Sequence, residues 1–213
     1  MLIDFKKAVA KHRMQIKGCL HVGAHFGQEY NMYRELGIEK MMFFEPCKEA
    51  FEVLRDTLLP LGALCYNVAC GSMEGYFKMN TETANRGMSN SLLKPVKHLD
   101  QYPSIVFTST ETVTVRRLDN IFTNLASFLS EFDRTQYNLL TMDVQGYELE
   151  VLKGAPETLQ HIDYIYTEVN RDEVYEGCAK VWELDAFLKD FMRVETSWAG
   201  GTWGDAIYKR TNI

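Results

Sequence analysis

The chain has 213 residues, 46% of them hydrophobic and 24% charged, and its formal net charge at pH 7 is −6. This length and composition fit one globular domain with its own core, so we expect a single domain over residues 1–213. The acidic balance argues against a nucleic-acid partner, because phosphate binding needs a clustered basic face. Five cysteines without metal-ligand spacing indicate a reducing compartment and no disulfide framework.

The first 17 residues predict a short helix rather than a secretory leader. Lys6 and Lys7 lie inside a helical pattern over Phe5 to Arg13, and Asp4 is placed to cap it. No apolar run in the sequence approaches the length of a membrane span. We therefore expect a soluble, cytoplasmic protein without a membrane partner.

The segment that follows is the most informative part of the chain. Cys19–Val22 reads as a buried strand, and Gly23 and Gly27 punctuate the turn between that strand and a helix. A turn this tight can bring its backbone amides up against a nucleotide-like ligand. We therefore expect a ligand at this turn.

A second apolar strand, Met41–Phe44, ends in the carboxylate of Glu45. Glu45 lies about twenty residues after the turn, the spacing at which an acidic side chain meets a ribose in doubly wound folds. Together, the turn and Glu45 predict that an adenosine-containing cofactor binds here.

The remaining elements alternate between strand and helix. Further strands are predicted over Leu64–Ala69, Asn138–Met142 and Tyr164–Thr167, with a closing pair over Arg193–Ser197 and Ala206–Lys209. Helices are predicted over residues 28–36, 48–58, 119–132 and 182–191, the third with Asp119 as its cap. This alternation predicts an α/β fold with a parallel sheet covered on both faces and an antiparallel closing pair.

Residues 71–118 are less regular than the rest. Residues 75–79 and 112–115 alternate like strands, and residues 85–100 between them are rich in Ser, Asn and Gly. We expect this region to be an insertion of strands and loop that covers the site.

Two acidic residues follow predicted strands. Asp143 ends the fourth strand and Glu168 the fifth, at the carboxyl edge where open α/β sheets bind ligands. Asp143 could instead cap the helix that begins near Glu148, and Glu168 could be a solvated loop acid. We favour a functional role for Asp143 and leave both readings open for Glu168.

Three segments carry a family resemblance: HVGAHFGQE from residue 21, FEP from residue 44 and MDVQGYELEVLKGA from residue 142. They resemble the FkbM-type S-adenosylmethionine-dependent methyltransferases, and the resemblance spans roughly residues 18–213. It implies a Rossmann-like class I fold, a mostly parallel seven-stranded sheet with an antiparallel C-terminal pair. It also implies methyl transfer to a hydroxyl oxygen, often on a sugar or a polyketide-like molecule.

The resemblance extends to individual positions. His21 stands where the family often has Asp, a position that in related methyltransferases helps to hold the methionine part of the cofactor. The residues expected to bind S-adenosylmethionine, with S-adenosylhomocysteine as product, are His21, Gly23, Ala24, His25, Gly27, Glu45, Pro46, Asn67, Val68, Ala69, Asp143 and Gln145. The residues expected to bind the acceptor are Ser89, Asn90, Ser91, Glu148, Asn170 and Trp203.

The expected reaction is methylation of a sugar or glycan hydroxyl, with deoxyhexoses such as rhamnose or fucose favoured. Asp143 or Glu168 takes the hydroxyl proton, and the sequence leaves the choice between them open. A divalent ion held by the two acids is a less favoured variant, and no metal site is predicted.

Rival functions share parts of this pattern. A nicotinamide-dependent oxidoreductase would also use the turn and the ribose acid, but the turn lacks the three-glycine dinucleotide spacing. A nucleic-acid methyltransferase is opposed by the acidic balance and by the sequence after residue 143. A non-catalytic glycan-binding domain with the same fold remains as an alternative.

Overall fold

The computed structural model of the chain describes residues 2–128 and 132–212, which form two β-sheets flanked by helices. In chain order the strands are β1 (Gly18–Val22), β2 (Lys40–Phe44), β3 (Leu64–Tyr66), β4 (Ala69–Cys70), β5 (Gly75–Glu82), β6 (Phe107–Arg116), β7 (Leu139–Met142), β8 (Tyr164–Asn170), β9 (Phe191–Ala199) and β10 (Trp203–Arg210). The helices are α1 (Phe5–Lys11), α2 (Tyr30–Glu35), α3 (Lys48–Leu58), α4 (Lys97–Gln101), α5 (Leu118–Phe128), α6 (Glu148–Lys153), α7 (Pro156–Leu159) and α8 (Val181–Phe187).

The larger sheet has seven strands in the order β3-β2-β1-β7-β8-β10-β9. Strands β3, β2, β1, β7 and β8 run parallel to one another. Strand β10 is antiparallel to both β8 and β9. The predicted Rossmann-like sheet with an antiparallel closing pair is therefore confirmed. The carboxyl ends of β1, β2 and β7 meet at one edge, which is where ligands bind in this architecture.

Successive side chains of a strand point to opposite faces of the sheet. Both faces are buried because the central strands present mainly apolar side chains to each of them. Leu20 and Met42 pack into one core together with α5, α6 and α8. Cys19, Met41 and Phe43 pack into the opposite core together with α1, α2 and α3. Continuous apolar strands of this kind need a helical layer on either side.

The prediction of one strand over Leu64–Ala69 is wrong, because this segment contains parts of two strands. β3 ends at Tyr66 and pairs with β2, whereas β4 begins at Ala69 and pairs with β6 of another sheet. Between them, the Asn67 amide donates to the carbonyl oxygens of Glu45 and Pro46 at 2.9 Å each. These bonds bind the chain to the end of β2 and divide the apolar run into two strands.

The fifth strand also differs from its prediction. β8 runs to Asn170, because β10 pairs with it as far as the register Asn170 to Trp203. Glu168 therefore lies inside a strand, opposite Asp205, and not after the strand's end. Its side chain is buried at 5% exposure, which also excludes the solvated loop acid.

Two predicted helices differ from expectation. The helix predicted over residues 182–191 ends at Phe187, and Phe191 begins β9. α5 begins at Leu118, so Asp119 lies in its first turn and does not cap it. The Asp119 carboxylate instead accepts the amides of Glu157 and Thr158 at 3.1 and 2.8 Å, at the start of α7. The predicted extension of α5 to Phe132 crosses residues 129–131, which lie outside the described part of the chain.

The irregular region contains the second sheet, in the order β4-β6-β5. Residues 83–106 connect β5 to β6 and include α4, a helix that the sequence did not predict. Isolated bridges join Asn80 to Ser91 and Pro95 to Tyr175, so this connection is tied to β5 and to the segment after β8. Among the described residues, no helix is long and apolar enough to cross a bilayer.

Candidate active site

A cleft opens at the carboxyl edge of β1, β2 and β7, and we call it the first cleft. It encloses about 870 Å³, partly open to solvent, which is in the size range of cofactor sites. Its walls come from the turn after β1, the segment after β2, the segment after β7 and the connection between β5 and β6. Lining residues include His21, Gly23, Ala24, His25, Glu29, Glu45, Pro46, Cys47, Ala69, Met79, Asn90, Leu92, Asp143, Val144, Gln145 and Tyr147.

The turn after β1 depends on two glycines for different reasons. Gly23 has φ +80°, and a Cβ on it would lie 1.9 Å from the carbonyl oxygen of Asp143. Gly27 has φ +77°, and a Cβ on it would lie 2.6 Å from Cδ1 of Leu58 in α3. Gly23 therefore lets β1 and β7 approach each other at the cleft, whereas Gly27 lets the turn pack on a helix and does not line the cleft.

The amides of this turn bind the protein itself, contrary to expectation. The N–H groups of Gly23 and Ala24 both donate to the carbonyl oxygen of Phe44, at 3.0 and 3.1 Å, and the His25 N–H donates to Glu45. These bonds join the ends of β1 and β2. The turn thus offers a ligand close backbone approach rather than free amides.

The His25 ring ties the turn to the connection between β5 and β6. Its Nε2 lies 2.8 Å from the carbonyl oxygen of Arg86, so Nε2 carries the hydrogen, and Nδ1 accepts from Gln28 at 2.9 Å. His25 also has φ +48°. The residue therefore closes one side of the first cleft.

The Glu45 carboxylate is fixed at the end of β2. Its Oε2 accepts from the His25 amide at 2.9 Å and its Oε1 from the Cys47 amide at 2.8 Å. Each oxygen keeps a further lone pair that can accept a hydroxyl. Burial raises the pKa of Glu45 to about 7, although the two amides oppose that rise.

Four further residues predicted to bind the cofactor lie in different places. Ala69 and Pro46 line the first cleft, whereas Asn67 and Val68 do not. The Asn67 side chain is bound to the backbone after β2, as described above, and Val68 packs against the core between the sheet and α5. Asn67 therefore shapes the loop that carries Glu45.

His21 lies on β1 at the floor of the first cleft and is 2% exposed. The Tyr33 hydroxyl donates to Thr141 at 3.1 Å and lies 3.2 Å from His21 Nδ1. Nδ1 therefore carries the hydrogen, which leaves Nε2 as an acceptor. Burial lowers the pKa of His21, so the ring is neutral at pH 7.

The charged side chains that line the first cleft are acidic. Glu29, Glu45 and Asp143 line it, and its described lining contains no lysine or arginine. Such a wall attracts a ligand that carries positive charge and repels one that carries phosphate groups.

A second cleft, also about 870 Å³ and partly open, adjoins the first. Its walls come from the connection between β5 and β6, from β8 and from the start of β10. The residues that line it are Asn85, Met88, Ser89, His98, Tyr102, Ile105, Asp143, Gln145, Glu168, Val174 and Trp203. Asp143 and Gln145 line both clefts, so the two spaces meet at these side chains.

Gln145 joins the two acids at this meeting point. Its Nε2 donates to Asp143 Oδ1 at 2.7 Å and to Glu168 Oε2 at 3.0 Å. Its Oε1 accepts from the Tyr175 hydroxyl at 3.0 Å, which also lies 3.0 Å from the Ser89 carbonyl oxygen, and the two carboxylates bonded to Nε2 fix the orientation of the amide. Gln145 has φ +53°, a strained backbone conformation that its carbonyl bond from Ser91 at 2.7 Å helps to hold.

The two acids differ in proton affinity. Burial raises the pKa of Asp143 to about 6. Burial, together with the charges of Asp143 and Glu148, raises the pKa of Glu168 well above its ordinary value. Of the two acids, Asp143 is therefore the more readily ionised, which suits it to accept a proton, whereas Glu168 holds its proton more strongly.

The six residues expected to bind an acceptor separate into groups. Ser89 and Trp203 line the second cleft, whereas Asn90 lines the first. Ser91 and Glu148 are buried and bind backbone around Gln145: Glu148 accepts the amides of Val144 and Gly146 at 3.3 and 3.1 Å. Asn170 is fully buried, lines neither cleft, and its side-chain atoms have no partner.

Sequence reasoning assigned no site role to Glu29 or Tyr102, and it expected His98 to touch a ligand only if the irregular loop closes over the site; all three line a cleft. Glu29 stands in the glycine-rich segment, so its position was a usable signal. His98 and Tyr102 belong to a stretch without periodicity, and only the folded chain brings them to the sheet edge.

Metal binding was tested on side-chain geometry. Within residues 2–128 and 132–212, no three His, Cys, Asp or Glu side chains are arranged to hold a metal ion. We therefore derive no step through a metal.

Comparison with known proteins places these features in a family. The model of the methyltransferase FkbM domain matches residues 21–194. A curated relative, the 2-O-methyltransferase NoeI of Sinorhizobium fredii, is 28% identical over 201 residues, which cover 91% of this chain and 79% of NoeI.

Solved structures share the fold at low identity. A SAM-dependent methyltransferase from Aquifex aeolicus is 13% identical with a TM-score of 0.50, over 99% of this chain and 91% of that one. TrmK of M. capricolum, solved with S-adenosyl-homocysteine, is 9% identical with a TM-score of 0.51, over 99% and 70%. These likenesses support the fold described above.

Proposed function

Because the family match covers most of the chain, this protein belongs to the FkbM methyltransferase family, and we propose that it is an S-adenosylmethionine-dependent O-methyltransferase acting on a sugar or glycan hydroxyl. One observation carries the proposal: Asp143 lines both clefts. A base at that position can serve an acceptor in the second cleft while a methyl donor occupies the first.

The first cleft fits S-adenosylmethionine in shape and charge. Gly23 lets β1 and β7 approach each other closely where the cleft opens, and Glu45 keeps lone pairs for two ribose hydroxyls. Glu29 and Asp143 suit the positive charges of the cofactor, and neutral His21 offers Nε2 as an acceptor. Ala24, His25, Pro46 and Ala69 complete the proposed cofactor contacts, while Gly27 and Asn67 act by shaping the loops.

The same charge argues against the nicotinamide alternative. A dinucleotide would bring a pyrophosphate to a cleft that Glu29, Glu45 and Asp143 line without a described lysine or arginine. Phosphate groups in proteins are usually bound by free amides or basic side chains. The amides of this turn are already bonded to Phe44 and Glu45.

When bound, the cofactor supplies a sulfonium methyl group that is already an activated electrophile. Asp143 accepts the proton of the acceptor hydroxyl as the new O–CH₃ bond forms, and S-adenosylhomocysteine is the other product. Gln145 holds Asp143 and Glu168 in place, and the raised pKa of Glu168 limits the negative charge beside the base. Glu168 is therefore the partner acid, not the base.

The second cleft fits a sugar. Tyr102 and Trp203 present aromatic surface, and the Trp203 indole N–H donates to the Tyr102 hydroxyl at 2.9 Å. Sugars bind through such aromatic faces together with a few placed polar groups. Ser89 and Asn85 supply polar groups on the same wall, linked at 3.3 Å. A deoxyhexose such as rhamnose or fucose is the acceptor we favour.

The test compares Asp143→Asn and Glu168→Gln at saturating cofactor, with methyl addition to rhamnosides and fucosides followed by mass spectrometry. Asp143→Asn should lower kcat by about a hundredfold or more, because it removes the base. Glu168→Gln should retain more activity, since burial and the neighbouring charges raise the pKa of Glu168 and favour its neutral form, which Gln resembles. Asp56→Asn, on the exposed side of α3, is the matched control. Full activity of Asp143→Asn would contradict the assignment.

A further inference from the structure

One feature of the second cleft is unexplained by the reaction centre. Among the described residues, buried side-chain polar atoms without a hydrogen-bond partner occur on His98, Gln101 and Asn170. Of these three residues, His98 lines the second cleft. Because an unpaired buried polar group is costly, each one calls for an explanation, and a bound ligand is one that the position of His98 allows.

The His98 ring is held firmly in place. Its centroid lies 5.2 Å from that of Tyr102 and 5.4 Å from those of Phe107 and Tyr175. Its backbone is fixed as well, since its N–H donates to the carbonyl oxygen of Val174 at 3.1 Å. The residue is only 4% exposed, and its Nδ1 atom has no partner. Packing of this kind fixes the position of a polar atom without satisfying it.

His98 is also coupled to the reaction centre through a short path. Tyr175, which packs against the His98 ring, donates its hydroxyl to Gln145 Oε1 at 3.0 Å. Gln145 in turn binds Asp143 and Glu168. The imidazole and the proposed base therefore belong to one connected wall of the second cleft. Burial lowers the pKa of His98, so the ring is a neutral hydrogen-bonding group at pH 7.

We propose that His98 is a specificity-determining residue that hydrogen-bonds a second hydroxyl of the acceptor, one that is not methylated. The inference rests on the proposed function, because it needs an acceptor in the second cleft. Its consequence is selection for polyhydroxylated acceptors. A lone hydroxyl compound would leave the imidazole unpaired, and a buried site rejects ligands that leave its polar groups unpaired.

The experiment uses the full chain, methyl rhamnoside, methyl fucoside and the monodeoxy analogues of each. Binding is measured by calorimetry in the presence of S-adenosylhomocysteine, and methyl transfer by mass spectrometry. His98→Phe keeps a ring against Tyr102, Phe107 and Tyr175 but removes both nitrogens. His98→Asn keeps a polar atom near the position of Nδ1. His161→Phe, at a histidine that lines neither described cleft, is the matched control.

The expected result has three parts. His98→Phe raises the acceptor KM about tenfold, the size of one lost neutral hydrogen bond, and leaves the affinity for S-adenosylhomocysteine unchanged. His98→Asn recovers part of that loss. The wild type discriminates about tenfold against one monodeoxy analogue that still carries the methylated hydroxyl, and His98→Phe removes that discrimination. A merely structural role would not erase the preference for one hydroxyl.

Two results overturn the inference in different ways. If the wild type methylates a glycoside and His98→Phe shows the same acceptor KM and the same ranking of analogues, His98 does not read the acceptor and the proposed function stands. If the wild type neither binds nor methylates any glycoside, the sugar acceptor and the role of His98 fail together. Should His98→Phe fail to fold, equal affinity of the wild type for every analogue would still overturn the inference.

Discussion

Gln145 Nε2 lies 3.0 Å from Glu168 Oε2 and gives its other hydrogen to Asp143. One amide thus separates two buried acids whose proton affinities differ. Two carboxylates in direct contact would share a proton and titrate as a pair. With the amide between them, Asp143 can be ionised and Glu168 neutral at the same pH.

Removing the side-chain amide of Gln145 should leave the two acids without the group that orients them. Gln145→Leu leaves Asp143 and Glu168 without this partner, whereas the Tyr175 hydroxyl keeps the Ser89 carbonyl oxygen at 3.0 Å. We expect kcat to fall by at least tenfold, with the cofactor affinity changed less, because the acids lose their orientation. Steady-state kinetics with calorimetry of S-adenosylhomocysteine binding checks this.

Gln136→Leu is a suitable control for that variant. Its amide also donates to a carboxylate, that of exposed Asp133 at 3.0 Å, but it precedes β7, at the edge of the sheet opposite both clefts. The Gln136→Leu variant should have the wild-type kcat. Wild-type kcat in Gln145→Leu itself would show that the two acids need no clamp.

The approach of β1 to β7 gives a second prediction. Gly23→Ala forces a Cβ to 1.9 Å from the Asp143 carbonyl oxygen, in a backbone region with φ +80°. The free energy of unfolding should fall by about 3 kcal/mol, and binding of S-adenosylhomocysteine should be lost. Gly37→Ala is the matched control, since Gly37 has φ +77° but nothing within 4 Å of its Cβ. It should lose about 1 kcal/mol and bind normally.

Denaturant unfolding and calorimetry of the two alanine variants separate crowding from backbone strain. If Gly23→Ala and Gly37→Ala lose the same free energy of unfolding, the loss comes from backbone strain at positive φ alone. The close contact between residue 23 and the Asp143 carbonyl would then be relieved without cost.

Buried acids predict how stability depends on pH. The pKa is raised to about 7 for Glu45 and Glu148 and to about 6 for Asp143, and it is raised for Glu168. Between about pH 4 and 7 the folded chain holds protons that the unfolded chain has released, so the free energy of unfolding falls as pH rises. Burial of neutral His21 and His98 acts in the opposite direction, but the four buried acids outnumber these two histidines.

Thermal unfolding between about pH 5 and 8 measures this slope. The melting temperature should be higher at the acidic end. Glu168→Gln should flatten the slope and raise the melting temperature at about pH 8, because it removes one buried acid. Glu176→Gln, at an exposed position, should leave the slope unchanged. A slope of the opposite sign in the wild type would contradict the burial of these acids.

The loop after β2 gives a fourth prediction. Asn67→Ala removes both hydrogen bonds to the backbone that carries Glu45. Affinity for S-adenosylhomocysteine should fall by about tenfold, because Glu45 loses its fixed position, while the fold persists. Asn124→Ala, at an exposed position of α5, should bind as the wild type does. An unchanged affinity in Asn67→Ala would assign the placement of Glu45 to the two amides alone.

Much of the first cleft could be predicted from the sequence because its parts are local. A buried strand, a glycine turn and an acid at the next strand's end are fixed by neighbours in the chain, and Gly23 and Glu45 do meet with Asp143 at one edge. What the pattern could not show is how those groups are bonded. The turn amides looked available to a ligand, yet they bind Phe44 and Glu45.

The second cleft could not be predicted because it is assembled from distant segments. His98 lies in a helix of five residues without apolar periodicity, Tyr102 directly follows that helix, and Trp203 reaches them through the pairing of β10 with β8. The same pairing extends β8 and buries Glu168 inside a strand. Long-range pairing decided these positions, and no local pattern in the sequence encodes it.

Calorimetric titration of the full chain with S-adenosylhomocysteine tests the central claim most directly. We predict one site per chain with micromolar affinity, weakened at least tenfold by Glu45→Gln, and no heat of binding with a nicotinamide dinucleotide. Binding of the dinucleotide together with no binding of S-adenosylhomocysteine would contradict the account.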